Sequence, residues 1–164
     1  MELQKILDSY PAKKEFLLEI LIDIDEQKEN HFISQEEIAA VSKHLGVAET
    51  HVCSVISFYT LLSTKPRGKY IIQICNDVPC YLSDDFNLLK TVQNELNIII
   101  NETTRNNKFS LEFTACIGCC DASPAMRINH KTYTNLTRSK VIKVINDYKE
   151  GKHDWAYWVN ETIW

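Results

Sequence analysis

The chain has 164 residues, of which 45% are hydrophobic and 24% charged, and a net charge of −4. This composition supports a packed core and argues against disorder, while the acidic balance lacks the basic stripe of a nucleic-acid binder and suits a protein that docks on other proteins. The opening Met1-Glu2-Leu3-Gln4-Lys5 has no basic region followed by an apolar run, and no apolar stretch reaches the roughly 20 residues of a membrane helix, so a cytoplasmic protein that does not span a membrane is expected.

The first 64 residues are expected to form a small helical bundle. Phe16, Leu17, Ile20, Leu21 and Ile24 recur at helical spacing. Ser34-Gln35-Glu36-Glu37 is a capping box, and the helix it opens has Ile38, Val41 and Leu45 before stopping at Gly46. A third helix has Val52, Val55, Ile56, Tyr59 and Leu62 on one face, with Phe58 and Tyr59 expected in the core. Cys53, on the same helix, reads as a buried thiol without a metal role. Lys65-Pro66-Arg67-Gly68 reads as a turn.

Residues 65–151 alternate strand and helix. Tyr70-Ile71-Ile72-Gln73-Ile74 has strand length and runs into Cys75. Ser83 is expected to cap a helix with Phe86, Leu89, Val92 and Leu96. Phe109, Leu111 and Phe113 alternate with polar residues as in a strand that leads to Cys116. Residues 125–128 and 132–134 flank a hairpin turn at Asn129-His130-Lys131, and Thr137 caps a last helix stopped by Gly151. The expected order is β-α-β-β-β-α, an α/β layer fold. Residues 152–164, with all three tryptophans, form an apolar tail expected to pack on its own domain or on a partner.

Five of the six cysteines fall in two groups, Cys75-Asn-Asp-Val-Pro-Cys80 and Cys116-Ile-Gly-Cys119-Cys120, each on a loop after a strand. Converging thiolates hold iron–sulfur clusters or zinc. The first spacing is too wide for a zinc knuckle and does not match a thioredoxin-type CxxC. The second contains both a CxxC and a CxxxC, so spacing alone leaves iron–sulfur, zinc and redox thiols open. Ile74, Val78, Pro79, Ile117 and Pro124 are expected to line the site, and Gly118 lets backbone approach sulfur.

With these pieces in order, the chain resembles the thioredoxin-like [2Fe–2S] subunits of NADH-linked oxidoreductases. These include the 24-kDa-type subunit of NADH:quinone oxidoreductase and the small subunits of NAD(P)-linked iron hydrogenases and formate dehydrogenases. The resemblance covers roughly residues 15–150. It rests on Ile33-Ser34-Gln35-Glu36, Val55-Ile56-Ser57-Phe58-Tyr59, Pro66-Arg67-Gly68-Lys69-Tyr70, Ile74-Cys75 to Cys80, Thr103-Thr104 and Phe109-Ser110-Leu111-Glu112. Its last piece is Cys116-Ile117-Gly118-Cys119-Cys120 with Ser123-Pro124. It implies a helical bundle followed by a thioredoxin-like domain, with one [2Fe–2S] cluster on Cys75, Cys80, Cys116 and Cys120 and with Cys119 as a non-ligand. Ser83-Asp84 stands where the family usually has a glycine.

The implied function is electron transfer within a multi-subunit complex. The four glycines, Gly46, Gly68, Gly118 and Gly151, are too scattered for a dinucleotide or phosphate loop. The resemblance implies that FMN and NAD(H) lie on a larger iron–sulfur flavoprotein partner, with further redox subunits beyond it. A soluble hydrogenase, including one that bifurcates electrons, is favoured over a respiratory or formate dehydrogenase. The alternatives are a zinc-stapled interaction module and a free-standing thioredoxin-like ferredoxin.

Overall fold

The computed structural model describes residues 2–152, so the expectation for the tryptophan-rich tail falls outside the described residues. The chain forms two compact units: residues up to Ile71 with Thr103–Ser110, and Ile72–Glu102 with residues from Leu111 onward.

The first unit is built on four helices: α1 (Glu2–Ser9), α2 (Leu17–Glu26), α3 (Gln35–Leu45) and α4 (Glu49–Phe58). In α2, Leu17, Ile20, Leu21 and Ile24 line one buried face, as their spacing dictates. At α3, the Ser34 side chain accepts from the Glu37 amide at 3.4 Å and the Glu37 carboxylate accepts from the Ser34 amide at 2.8 Å, which closes the capping box. Gly46 ends the helix in the left-handed region at φ +65. Val52 and Ile56 of α4 complete the core, against which Cys53 packs half-buried. Phe58 departs from expectation. As the last residue of α4 it is 78% exposed, while Tyr59 turns partly back onto the core.

The turn at residues 65–68 contains a charge the hydropathy pattern hides. Arg67 is buried, with Nη2 donating to Asp25 Oδ1 at 3.2 Å and to the Leu61 carbonyl at 2.7 Å. Its Nε donates to the His31 carbonyl at 2.8 Å. Gly68 sits against strand backbone, where an added Cβ would meet the Phe109 carbonyl carbon at 2.7 Å.

Five strands form one sheet in the order β2-β3-β1-β4-β5: β1 (Tyr70–Cys75), β2 (Glu102–Thr103), β3 (Phe109–Thr114), β4 (Met126–Ile128) and β5 (Lys131–Tyr133). The Tyr70 amide bonds the Lys108 carbonyl and the Asn76 amide bonds the Thr114 carbonyl, a constant offset that marks β1 and β3 as parallel. β1 and β4 are antiparallel, with Gln73 opposite Arg127 and Ile74 opposite Met126. The β4–β5 hairpin turns through Asn129 (φ +51) and His130, with Ile128 opposite Lys131. The sheet is therefore mixed, as in thioredoxin-like folds.

Three more helices complete the second unit: α5 (Val78–Leu82), α6 (Leu88–Leu96) and α7 (Arg138–Glu150). α6 and α7 pack side by side. Thr137 caps α7 by accepting from the Lys140 amide, and Gly151 (φ +72) closes it. The cap expected at Ser83 is different: Asn87 caps α6 through the Lys90 amide, while Ser83 ends α5. Both α5 and the two-residue β2 are additions to the expected order.

Candidate metal centre

β1 delivers Cys75 as its last residue, fully within the buried row of the strand. The chain then turns at Asn76, whose amide donates to the Thr114 carbonyl, and enters α5 behind Asp77. Pro79 fits the first turn because a proline there forfeits no helical hydrogen bond. The single turn of α5 sorts its side chains sharply. Cys80 points inward at 4% exposure, while Val78, Tyr81 and Leu82 are 67–76% exposed.

The second cysteine group follows β3. Gly118 adopts φ +83, a left-handed conformation with open space about its α-carbon. The turn folds the loop back so that Cys116 and Cys120 bring their sulfurs to 3.3 Å, and the Gly118 amide donates to Cys116 Sγ at 3.5 Å. Cys120 then begins a 3-10 turn through Ala122. The Asn135 amide donates to the Ala122 carbonyl and the Leu136 amide to the Pro124 carbonyl, tying the loop to the segment after β5.

The two groups share one neighbourhood. Cys75, Cys80 and Ala125 form a buried apolar cluster onto which Ile117 and Cys119 pack from the second loop. Ser83 Oγ and Ser123 Oγ lie 2.8 Å apart, a further link between the two cysteine-bearing segments. Burial, and then the neighbouring Cys75 thiol, pushes the Cys80 thiol up to about 11, and the Cys120 sulfur adds to the effect. The hydrogen bond with Cys116 raises the Cys120 thiol above its ordinary value, followed by burial and the nearby charges of Cys116, Cys75 and Asp77. Sulfurs from both loops thus oppose one another's ionisation, and a cation between them would relieve that repulsion.

Among the described residues, no group of three or more His, Cys, Asp or Glu side chains converges tightly enough for a single metal ion. The cysteines stand instead as two pairs, one per loop. Two pairs of thiolates, one pair per loop, fit a two-iron group that takes two sulfur ligands at each iron. The pairs also differ in setting: Cys75 and Cys80 are buried, Cys116 and Cys120 exposed, and Cys119 half-buried.

The lining is wetter than expected. Ile74 and Pro124 are buried and Ile117 partly so, but Val78 and Pro79 face solvent because α5 directs only Cys80 inward. A polar row that the hydropathy pattern concealed lies beside the site. Arg127 donates to Gln73 Oε1 through Nε at 3.0 Å and through Nη2 at 2.6 Å, and Gln73 Nε2 donates to Glu112 Oε2 at 3.4 Å.

The chain is similar to known proteins in sequence and in structure. Residues 3–149 match the family described as thioredoxin-like [2Fe-2S] ferredoxin. The chain is 31% identical over 153 residues to the mitochondrial NADH dehydrogenase [ubiquinone] flavoprotein 2 of Dictyostelium discoideum, covering 93% of this chain and 62% of that protein. It is 31% identical over 146 residues to an NADH-quinone oxidoreductase subunit of Rickettsia prowazekii, covering 88% of this chain and 82% of that one. In structure it is similar to an NAD+-reducing [NiFe]-hydrogenase in the air-oxidized state, with a TM-score of 0.72 at 19% identity over 87% of this chain and 24% of the hydrogenase chain. That last likeness establishes a common fold.

Proposed function

The chain belongs to the thioredoxin-like [2Fe–2S] ferredoxin family, and from that premise we propose that it is the electron-transfer subunit of a multi-subunit NADH-linked oxidoreductase, exchanging single electrons with a flavoprotein partner. The observation that supports this most is the pairing of the cysteines. Cys75 with Cys80, and Cys116 with Cys120, would hold the cluster, one pair from each loop.

When bound, the cluster accepts and releases one electron at a time. The protein's residues govern the conditions. Cys75, Cys80 and Ala125 exclude water on one side. Gly118 directs an amide at Cys116 Sγ, where a donor stabilises negative charge on sulfur. On the other side, Cys116 and Cys120 are exposed, which leaves a short path from the site to a docked partner. No acid–base residue is required of this chain, and it acts as a non-catalytic subunit of the oxidoreductase.

The division of labour within the chain is part of the same reading. Residues 65–151 form the cluster domain and residues 1–64 the bundle appended to it. The partner supplies FMN and the NAD(H) site, and the complex is cytoplasmic. No helix among the described residues is long and apolar enough to cross a membrane.

Anaerobic purification of the native complex tests this reading. Co-purification of a flavin-containing, NADH-oxidising chain supports it; a protein that runs alone with its cluster indicates a free ferredoxin. Within the reading we favour the soluble hydrogenase class, including bifurcating forms. Hydrogen-dependent reduction of NAD+ by the complex would support that class. NADH:quinone activity without hydrogen turnover would move the protein to the respiratory class of its relatives in Dictyostelium and Rickettsia.

A further inference from the structure

Cys75 is the last residue of β1, and its amide donates to the carbonyl of Ala125 at 3.2 Å. Two residues back, Gln73 faces Arg127 on the antiparallel neighbour β4. Side chains two apart on a strand share a face, and directly opposed residues in an antiparallel pair share it too. Cys75 and Arg127 are therefore diagonal neighbours on one face of the sheet, about 7–8 Å apart at their α-carbons, within reach of a long side chain.

Arg127 does not swing freely there. Its guanidinium makes two hydrogen bonds to the one carbonyl oxygen of Gln73, whose side chain is itself 3% exposed. The partner of this guanidinium is a neutral amide, so the bond fixes its position without cancelling its charge. Glu112, on β3, holds the amide end of Gln73 from the opposite flank. The Gln73 side chain thus separates a cation on β4 from an anion on β3, both beside the strand that ends in Cys75.

We propose that Arg127, oriented by Gln73, raises the reduction potential of the [2Fe–2S] cluster, and that Glu112 lowers it. This rests on Cys75 being a cluster ligand. A cluster held by four thiolates is anionic, and the electron it accepts adds one more negative charge. A fixed positive charge nearby favours the reduced form, and a fixed negative charge disfavours it. The half-buried setting of Arg127 limits screening by solvent ions. Gln73, in the middle of an otherwise apolar strand, serves as a positioning residue that acts through Arg127.

The test is a redox titration of the anaerobically purified, cluster-loaded protein, followed by EPR of the reduced cluster, with iron and labile sulfide assayed in every sample. Arg127→Gln should lower the midpoint potential, Arg127→Lys should keep it near the wild-type value, and Glu112→Gln should raise it. An unshifted potential in Arg127→Gln with full iron content overturns the proposal while leaving the electron-transfer function intact. Should Arg127→Gln fail to hold its cluster, Glu112→Gln decides, and an unchanged or lowered potential there is equally fatal. Wild-type protein without iron and sulfide would overturn both this proposal and the function it rests on.

Discussion

Cys116 and Cys120 place their sulfurs 3.3 Å apart although no regular helix joins them; the left-handed turn at Gly118 folds the loop between them. Cys119, immediately before Cys120, points elsewhere and packs with Ile117 onto the buried Cys75, Cys80 and Ala125. Adjacent cysteines in this loop thus face different neighbours.

That separation predicts the outcome of single substitutions. Cys75→Ser and Cys120→Ser should lower bound iron sharply, because each removes an anionic sulfur that a hydroxyl replaces poorly. Cys119→Ala should retain it. Iron assays on anaerobically purified variants check this, and equal losses in Cys119→Ala and Cys120→Ser would contradict the assignment.

The cluster-free protein should lose stability at high pH. Burial pushes the Cys80 thiol from 9.0 up to about 11 in the folded state. An acid whose folded value is raised favours folding fully below its unfolded value and loses that contribution as pH rises through the folded one. Urea midpoints of the cluster-free chain should therefore fall between about pH 9 and 11, and Cys80→Ala should flatten the decline.

Two glycines should respond differently to alanine. At Gly68 the new methyl would meet Phe109 backbone at 2.7 and 2.8 Å, atoms that cannot rotate away. Gly68→Ala should cost about 1–3 kcal/mol, the usual range for overpacking. At Gly118 there is open space, so only the left-handed backbone is penalised, by about 1–2 kcal/mol. Chemical denaturation gives both costs. Iron content should fall only in Gly118→Ala, whose turn lies in the cysteine loop.

Much of this architecture was legible because it is written in local signals. The capping box at Ser34 and Glu37, the stop at Gly46, the cap at Thr137 and the stop at Gly151 each depend on residues within a few positions, and all are present in the structure. The two cysteine groups are equally local, but the choice between Cys119 and Cys120 as the partner of Cys116 is not written in their spacing. What escaped was non-local or atypical. Arg67 and Asp25 are 42 residues apart, so nothing in the turn announces a buried ion pair. α5 is one turn long and opens with Val-Pro, too short for any periodicity. Gln73 sits in an apolar run, and its polar partners come from β3 and β4. Phe58 looked like core by composition, yet it is exposed because α4 ends there.

The pair Arg67 and Asp25 supplies a further prediction. Both side chains are nearly inaccessible, at 4% and 8% exposure. Arg67→Ala leaves the Asp25 carboxylate buried with a reduced set of partners, including His31 Nδ1 at 3.2 Å. Breaking such a pair costs about 3–5 kcal/mol, whereas replacing both members by apolar residues of similar size costs far less. A urea denaturation series comparing Arg67→Ala with the double variant Asp25→Leu/Arg67→Met should show that order. Equal losses would contradict it.

Electron transfer by this chain requires that sulfurs of two loops bind iron and inorganic sulfide, so the direct measurement is the metal and sulfide content of the full chain purified without oxygen. About two irons and two acid-labile sulfides per chain, with a red-brown colour that bleaches on reduction, is the result expected of a [2Fe–2S] protein. A colourless protein with one zinc per chain, or with neither iron nor sulfide, would contradict it.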